Sequence, residues 1–161
     1  MNFDLVEHAY DGMISLLPST MNSQQSFALL VAIALQESKL QYRRQIRGPA
    51  RGFWQFEQGG GVRGVLSHHS SREHIRAVLS ALKYDDSEST SYVAIEHNDV
   101  LACAYARLLL WTLPQPIAGR GEEAKASEQY TTAWRPGKPH PETWGANFAE
   151  AWKRADDRTL A

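Results

Sequence analysis

One cysteine among 161 residues, Cys103, excludes an internal disulfide, and its place in an apolar run makes it a small core residue. An excess of charge of either sign is also missing: 17 Lys and Arg stand against 18 Asp and Glu, for a net charge of -1 and a pI near 6.6. No overall field singles out nucleic acid or an anionic membrane as a partner. Apolar stretches of the roughly 18 residues needed to span a bilayer are missing, so no stable membrane insertion is expected. The start, Met1-Asn2-Phe3-Asp4, has neither a basic segment nor a long apolar region, so a signal peptide is not expected and synthesis in the cytoplasm is. Repeats, low-complexity tracts and linker-like stretches are lacking too. The expectation is one monomeric domain over residues 1–161, whose 43% apolar content suffices for a sizeable core.

The strongest pattern present is the run from Phe27 to Leu35. Phe27, Leu29, Leu30, Val31, Ile33 and Leu35, with Ala28, Ala32 and Ala34 between them, are apolar all round a helix, which predicts burial on every side. Ser23 to Ser26 form its capping turn. Phe3, Val6, Tyr10, Met13, Ile14 and Leu17 recur at helical spacing, with Asn2 as N-cap and Pro18 as stop, and predict an amphipathic helix packed on the buried one. Further helices are expected over 71–84, 122–133 and 142–155, with short turns over 62–68 and 92–97. Asn98-Asp99 cap a second apolar helix, Val100 to Leu113, closed by Pro114 and expected to pair with the first. Trp144, Phe148, Ala151 and Trp152 share one face of the last helix and read as core. His68, His69 and His74 with Glu73 fit no zinc-ligand spacing, and no metal or cofactor is expected.

Polar chemistry begins where the buried helix ends. Gln36-Glu37-Ser38 puts a carboxyl group on its last turn, where apolar surroundings and the negative end of the helix both disfavour ionisation. Such a glutamate suits general-acid work near neutral pH. A basic connector follows with Arg43, Arg44, Arg47 and Arg51, then Phe53-Trp54-Gln55-Phe56-Glu57 and three glycines. Rings, an amide and a carboxyl so close together suit a sugar cleft; a core plug of aromatics beside a solvated Glu57 accounts for the same residues equally well. The arginines, likewise, read either as a cationic patch for a polyanion or as cover for loop carbonyls and core.

Glu37-Ser38, followed after the basic loop by Gly52-Phe53-Trp54-Gln55, resembles two motifs of the lysozyme-like superfamily of lytic transglycosylases and goose-type lysozymes. These are a helix ending in E-S and a G-L-M-Q segment. The goose-type form continues as G-L-M-Q-V-D, which sets Glu57 at the second acid. Ala133-Trp134-Arg135-Pro136-Gly137 is a counterpart of the A-Y-N-A-G motif that keeps only Ala and Gly. There Trp134 takes the place of the tyrosine that supports the catalytic acid, and Arg135 that of the asparagine. The likeness covers residues 27–57 with an echo near 133, and the arrangement of Gly48 to Glu57 with the tail Trp134 to Pro139 also resembles phage-borne members.

The resemblance implies a mainly α, lysozyme-like single domain with a small β or irregular flap at residues 51–58. The implied partner is bacterial peptidoglycan, reached after release or as a virion component. The implied reaction is cleavage of the β-1,4 bond between N-acetylmuramic acid and N-acetylglucosamine, with Glu37 as acid. Water activated by Glu57 gives hydrolysis, the favoured outcome; attack by the sugar's own 6-hydroxyl gives the 1,6-anhydro product of a transglycosylase. Ser38 beside Glu37, Gln55 on an N-acetyl group, and Trp54 and Trp134 along the cleft are the implied substrate-binding residues. The rivals are a non-catalytic glycan-binding or structural virion module and a nucleic-acid binder using the Arg43 to Arg63 patch.

Overall fold

Ser23 and Ser26 exchange hydrogen bonds between their hydroxyls and each other's backbone N–H, at 3.0 and 3.1 Å, and so start the apolar run as a helix. In the computed structural model, which describes residues 2–160, this helix is the second of eight. The order is α1 (Phe3–Ile14), α2 (Gln24–Ser38), α3 (Arg63–Ser67), α4 (Arg72–Ala81), α5 (Glu88–His97), α6 (Asp99–Trp111), α7 (Glu123–Trp134) and α8 (Pro141–Leu160). The fold is mainly α. Among the described residues no helix is long and apolar enough to cross a membrane.

Every side chain of α2 from Ser26 to Leu35 is buried, as its all-round apolarity requires. Its neighbours differ from those expected. The main cover is α8, whose Trp144, Phe148, Ala151, Trp152 and Ala155 are buried, while α6 lies chiefly along α1 and meets α2 over a narrower contact. A helix that is apolar all round has no single partner face, so the two amphipathic helices supply their stripes to the two apolar ones. Asn2 is the N-cap residue of α1, its carbonyl accepting from Leu5 N at 3.2 Å and Val6 N at 3.4 Å, but its side chain makes no cap bond; its amide donates to the Leu40 carbonyl at 3.0 Å and fastens the end of α2. The turn expected at 92–97 is a longer helix, α5, because Ser87 within the polar run caps it through Thr90 N at 3.1 Å.

Lys39 and Leu40, at φ 54° and 55°, turn the chain sharply out of α2. The segment that follows is organised by ion pairs. Arg43 grips Asp99 through two bonds of 2.8 and 2.7 Å, and Arg44 grips Glu96 through two of 2.9 Å. Arg51 stands 3.5 Å from Glu96. The expected cationic patch is therefore largely neutralised by acids at the α5–α6 junction, and the arginines tie the loop down.

The flap contains only two antiparallel bridges, Arg44 with Arg51 and Arg51 with Phe56. Arg51 and Phe56 exchange both backbone bonds, at 2.9 and 2.8 Å, closing a tight turn over residues 52–55. Gly52 sits at φ +76°, and a Cβ there would lie 2.8 Å from Ile95 Cγ2, so the turn needs glycine. The turn points inward: Phe53, Trp54 and Phe56 are all buried in the core. The plug reading of this aromatic segment holds for its rings, and the sugar-stacking reading does not.

Candidate active site

Glu37 occupies the last turn of α2, half-buried, where that helix leaves the core. The Tyr130 hydroxyl donates to its Oε1 at 2.5 Å. Tyr130 is fixed by α8, because its ring stacks on Trp144 with centroids 5.1 Å apart and planes 5° from parallel. Burial pushes the Glu37 carboxyl up to about 7, and the bond from Tyr130, which favours the charged form, only partly offsets this. The phenol is itself pushed upward by its burial and by the neighbouring Glu37 charge, so it stays a donor. With Oε1 occupied, the proton of neutral Glu37 rests on Oε2.

Removing this phenol has a defined consequence. In Tyr130→Phe the charged form of Glu37 loses its donor, so its pKa rises above about 7 while the carboxyl loses its anchor. The titration midpoint of the Glu37 carboxyl, followed by carbon-13 NMR, is expected to move up in this variant, because a charge-assisted donor to the carboxylate is lost. An unmoved midpoint would separate Tyr130 from the ionisation.

A groove of about 610 Å³ is lined in part by Trp134, whose ring centroid lies 6.1 Å from that of Tyr130, while Glu37 and Tyr130 themselves are not in its lining. Gln55, Glu57 and the glycines at 59–61 line one part of it, and Trp134 and Arg135 at the end of α7 line another. Gly61 is required by contact, since a Cβ there would lie 2.5 Å from the Phe56 ring. Gln55 is held at φ 51° with its amide donating to Gly52 O at 2.9 Å, and Glu57 is exposed at the start of the Gln58–Val62 turn. Trp134 is braced by a bond from Nε1 to Trp54 O at 2.8 Å. Gln55, Glu57 and Trp134 thus meet in one groove. Glu37 lies outside its lining and connects to it through Tyr130, one helical turn before Trp134.

Two expected substrate contacts are not in the groove. Ser38 is 0% exposed; its single hydroxyl proton is shared between Phe53 O at 2.8 Å and Ala34 O at 3.1 Å, and its oxygen accepts from Leu40 N at 3.2 Å. It locks the helix end to the aromatic turn. Trp54 is 0% exposed as well, and its Nε1 donates to Leu30 O at 2.9 Å, so the indole braces α2 from within the core.

Tyr130 is the residue that sequence reasoning missed. A signal was present: Ala126, Tyr130 and Trp134 recur every four residues on one face of a predicted helix. The reading placed the acid's support at Trp134, and the structure places a phenol one turn earlier. The histidines do not gather: His68 and His69 stack at 4.4 Å, and among the described residues no group of three His, Cys, Asp or Glu side chains is arranged to hold a metal ion. No known protein family, curated protein or solved structure matches the chain.

Proposed function

We propose that this protein cleaves the glycan strands of bacterial peptidoglycan at the β-1,4 bond between N-acetylmuramic acid and N-acetylglucosamine, with Glu37 as general acid. The observation that carries this reading is a glutamate at a buried helix end whose pKa of about 7 suits proton donation near neutrality, oriented by a phenol at 2.5 Å. The E-S and G-x-x-Q likeness to lysozyme-like enzymes supports it, and so does Tyr130, which offers the tyrosine support for the acid that the pattern calls for. Gln55, Glu57 and Trp134 give the adjoining groove an amide, a second carboxyl and an indole for a sugar chain.

In this scheme Glu37 Oε2–H protonates the glycosidic oxygen as the bond to the anomeric carbon breaks and an oxocarbenium-like centre forms. Water then adds to that carbon as it gives a proton to Glu57, leaving a reducing muramic acid end; Glu57 releases that proton to solvent, and Glu37, left as carboxylate, regains one from solvent. One observation favours a second course. Glu37 is not part of the lining that holds Glu57, so the two carboxyls need not act as a pair; the sugar's 6-hydroxyl, giving its proton back to Glu37, closes the anhydro ring without Glu57.

Loss of turbidity of a cell-wall suspension is the first test, set beside a gel-shift assay with nucleic acid. Lysis without a shift is expected. A nucleic-acid shift without lysis would replace the reading, and inert behaviour in both would favour a non-catalytic module. Glu57→Gln then separates the courses. Hydrolysis predicts a loss of about 10²-fold or more, the order of a missing general base. Full rate with products lighter by one water assigns the anhydro course.

A further inference from the structure

The proposed groove contains a cation that the rest of the fold leaves unneutralised. Arg63 is paired with Glu88 at 3.0 Å, Arg154 with Glu150 at 2.9 Å, and Arg120 with Asp156, and Arg43, Arg44 and Arg51 are held as described above. Arg135 is exposed, lines the groove, and among the described residues makes neither an ion pair nor a side-chain hydrogen bond. Glu57 is the acid of the same lining, and no ion pair joins it to Arg135.

The backbone at Arg135 is unfavourable for the residue it carries. It caps α7 in the left-handed region, φ 48° and ψ 55°, with its N–H bonded to Thr131 O at 3.0 Å. Glycine or asparagine suits such a cap, and Pro136 restricts the preceding residue further. A long cationic side chain set at such a cap and lining a groove is placed to contact a ligand there. A second donor is present. The backbone N–H of Ser70 donates to His68 Nδ1 at 3.1 Å, so the neutral ring carries its proton on Nε2, and His68 lines the same groove.

We infer that Arg135, with His68 Nε2–H as a second donor, forms a subsite for a carboxylate carried by the glycan, the lactyl or stem-peptide carboxylate of muramyl residues. The inference rests on the glycan-cleavage reading for the identity of the polymer. An arginine selects such a group through paired N–H donors, and a carboxylate-free chitin strand leaves those donors unused. Arg135 is thereby a specificity residue that distinguishes muramyl strands from chitin-like ones.

The test is calorimetric binding of three ligands to the Glu37→Gln protein, which leaves strands uncut. The probes are a chitooligosaccharide, a peptide-free glycan strand with free lactyl carboxylates, and a peptide-bearing strand. Adding Arg135→Gln is expected to weaken one or both carboxylate-bearing strands by about tenfold or more, the order of one charge-assisted contact, and to leave the chitooligosaccharide unchanged. Loss on the peptide-free strand assigns the lactyl group, and loss on the peptide-bearing strand alone assigns the stem peptide. Equal loss on all three, or no loss, overturns the subsite while glycan binding stands. Failure of the Arg135-intact protein to bind any of the three overturns the glycan reading together with the subsite. Arg135→Gly relieves the backbone, so it should hold or raise the melting temperature and show the same selective loss; a destabilised glycine variant would make the side chain structural and sink the idea.

Discussion

Glu37→Gln is expected to lower wall lysis by about 10² to 10⁴-fold, the contribution of a general acid, while the protein keeps its fold. The amide preserves the shape of the side chain and still accepts from Tyr130, yet it has no proton to give. The same substitution has an opposite effect on stability. The folded pKa of about 7 lies above the ordinary 4.5, so the native state holds this proton more tightly than the unfolded chain. That stabilisation is complete below pH 4.5, declines as pH rises between the two values, and is gone above pH 7. A neutral amide has no charge to desolvate. At pH 8 the variant should therefore be more stable than the native protein by roughly 1–2 kcal/mol, discounted for a half-exposed group, or about 2–8 °C in melting temperature. The difference should close toward pH 4. Lysis near the native rate would remove Glu37 from the chemistry, and an identical stability gap at pH 4 and pH 8 would remove the burial argument.

Trp54→Ala is expected to cost about 3–5 kcal/mol, a large share of the roughly 5–15 kcal/mol that a domain of this size has. The indole is fully buried, packs inside the turn over residues 52–55, and bonds to the carbonyl of Leu30 in the middle of α2. Trp54→Phe keeps most of the ring and loses that bond, for about 1 kcal/mol, with lysis retained. Chemical denaturation of the two variants checks both figures. A Trp54→Ala protein of native stability with weakened glycan binding would put the ring in the groove after all.

Local pattern made the framework legible. All-round apolarity identified α2, the Asn98 cap and following run identified α6, and one-face spacing placed Trp144, Phe148 and Trp152 in the core. Glu37 was legible for the same reason, being the first carboxyl group after the most apolar segment. What escaped depends on partners far along the chain. Tyr130 reaches Glu37 across 93 residues, and nothing local marks which tyrosine of a helix faces an acid in another. The basic loop looked cationic because Glu96 and Asp99 come about fifty residues later, and only folding brings them onto Arg44 and Arg43. Trp54 and Ser38 sit within motif-like segments, but burial alone decides whether such residues touch a ligand or hold the turn that presents its neighbours. Gln55 and Glu57 reach the groove because a six-residue turn pushes Phe53 and Trp54 inward and leaves the polar residues out.

Whether Glu37 drives cleavage of the wall glycan is decided by mass spectrometry of the soluble products released from purified sacculi by the native protein and by Glu37→Gln. Muropeptides with N-acetylmuramic acid ends, reducing or anhydro, are expected from the native protein and almost none from the variant. Sacculi of several wall chemistries left intact by the native protein, or cut equally well by both proteins, would contradict that expectation.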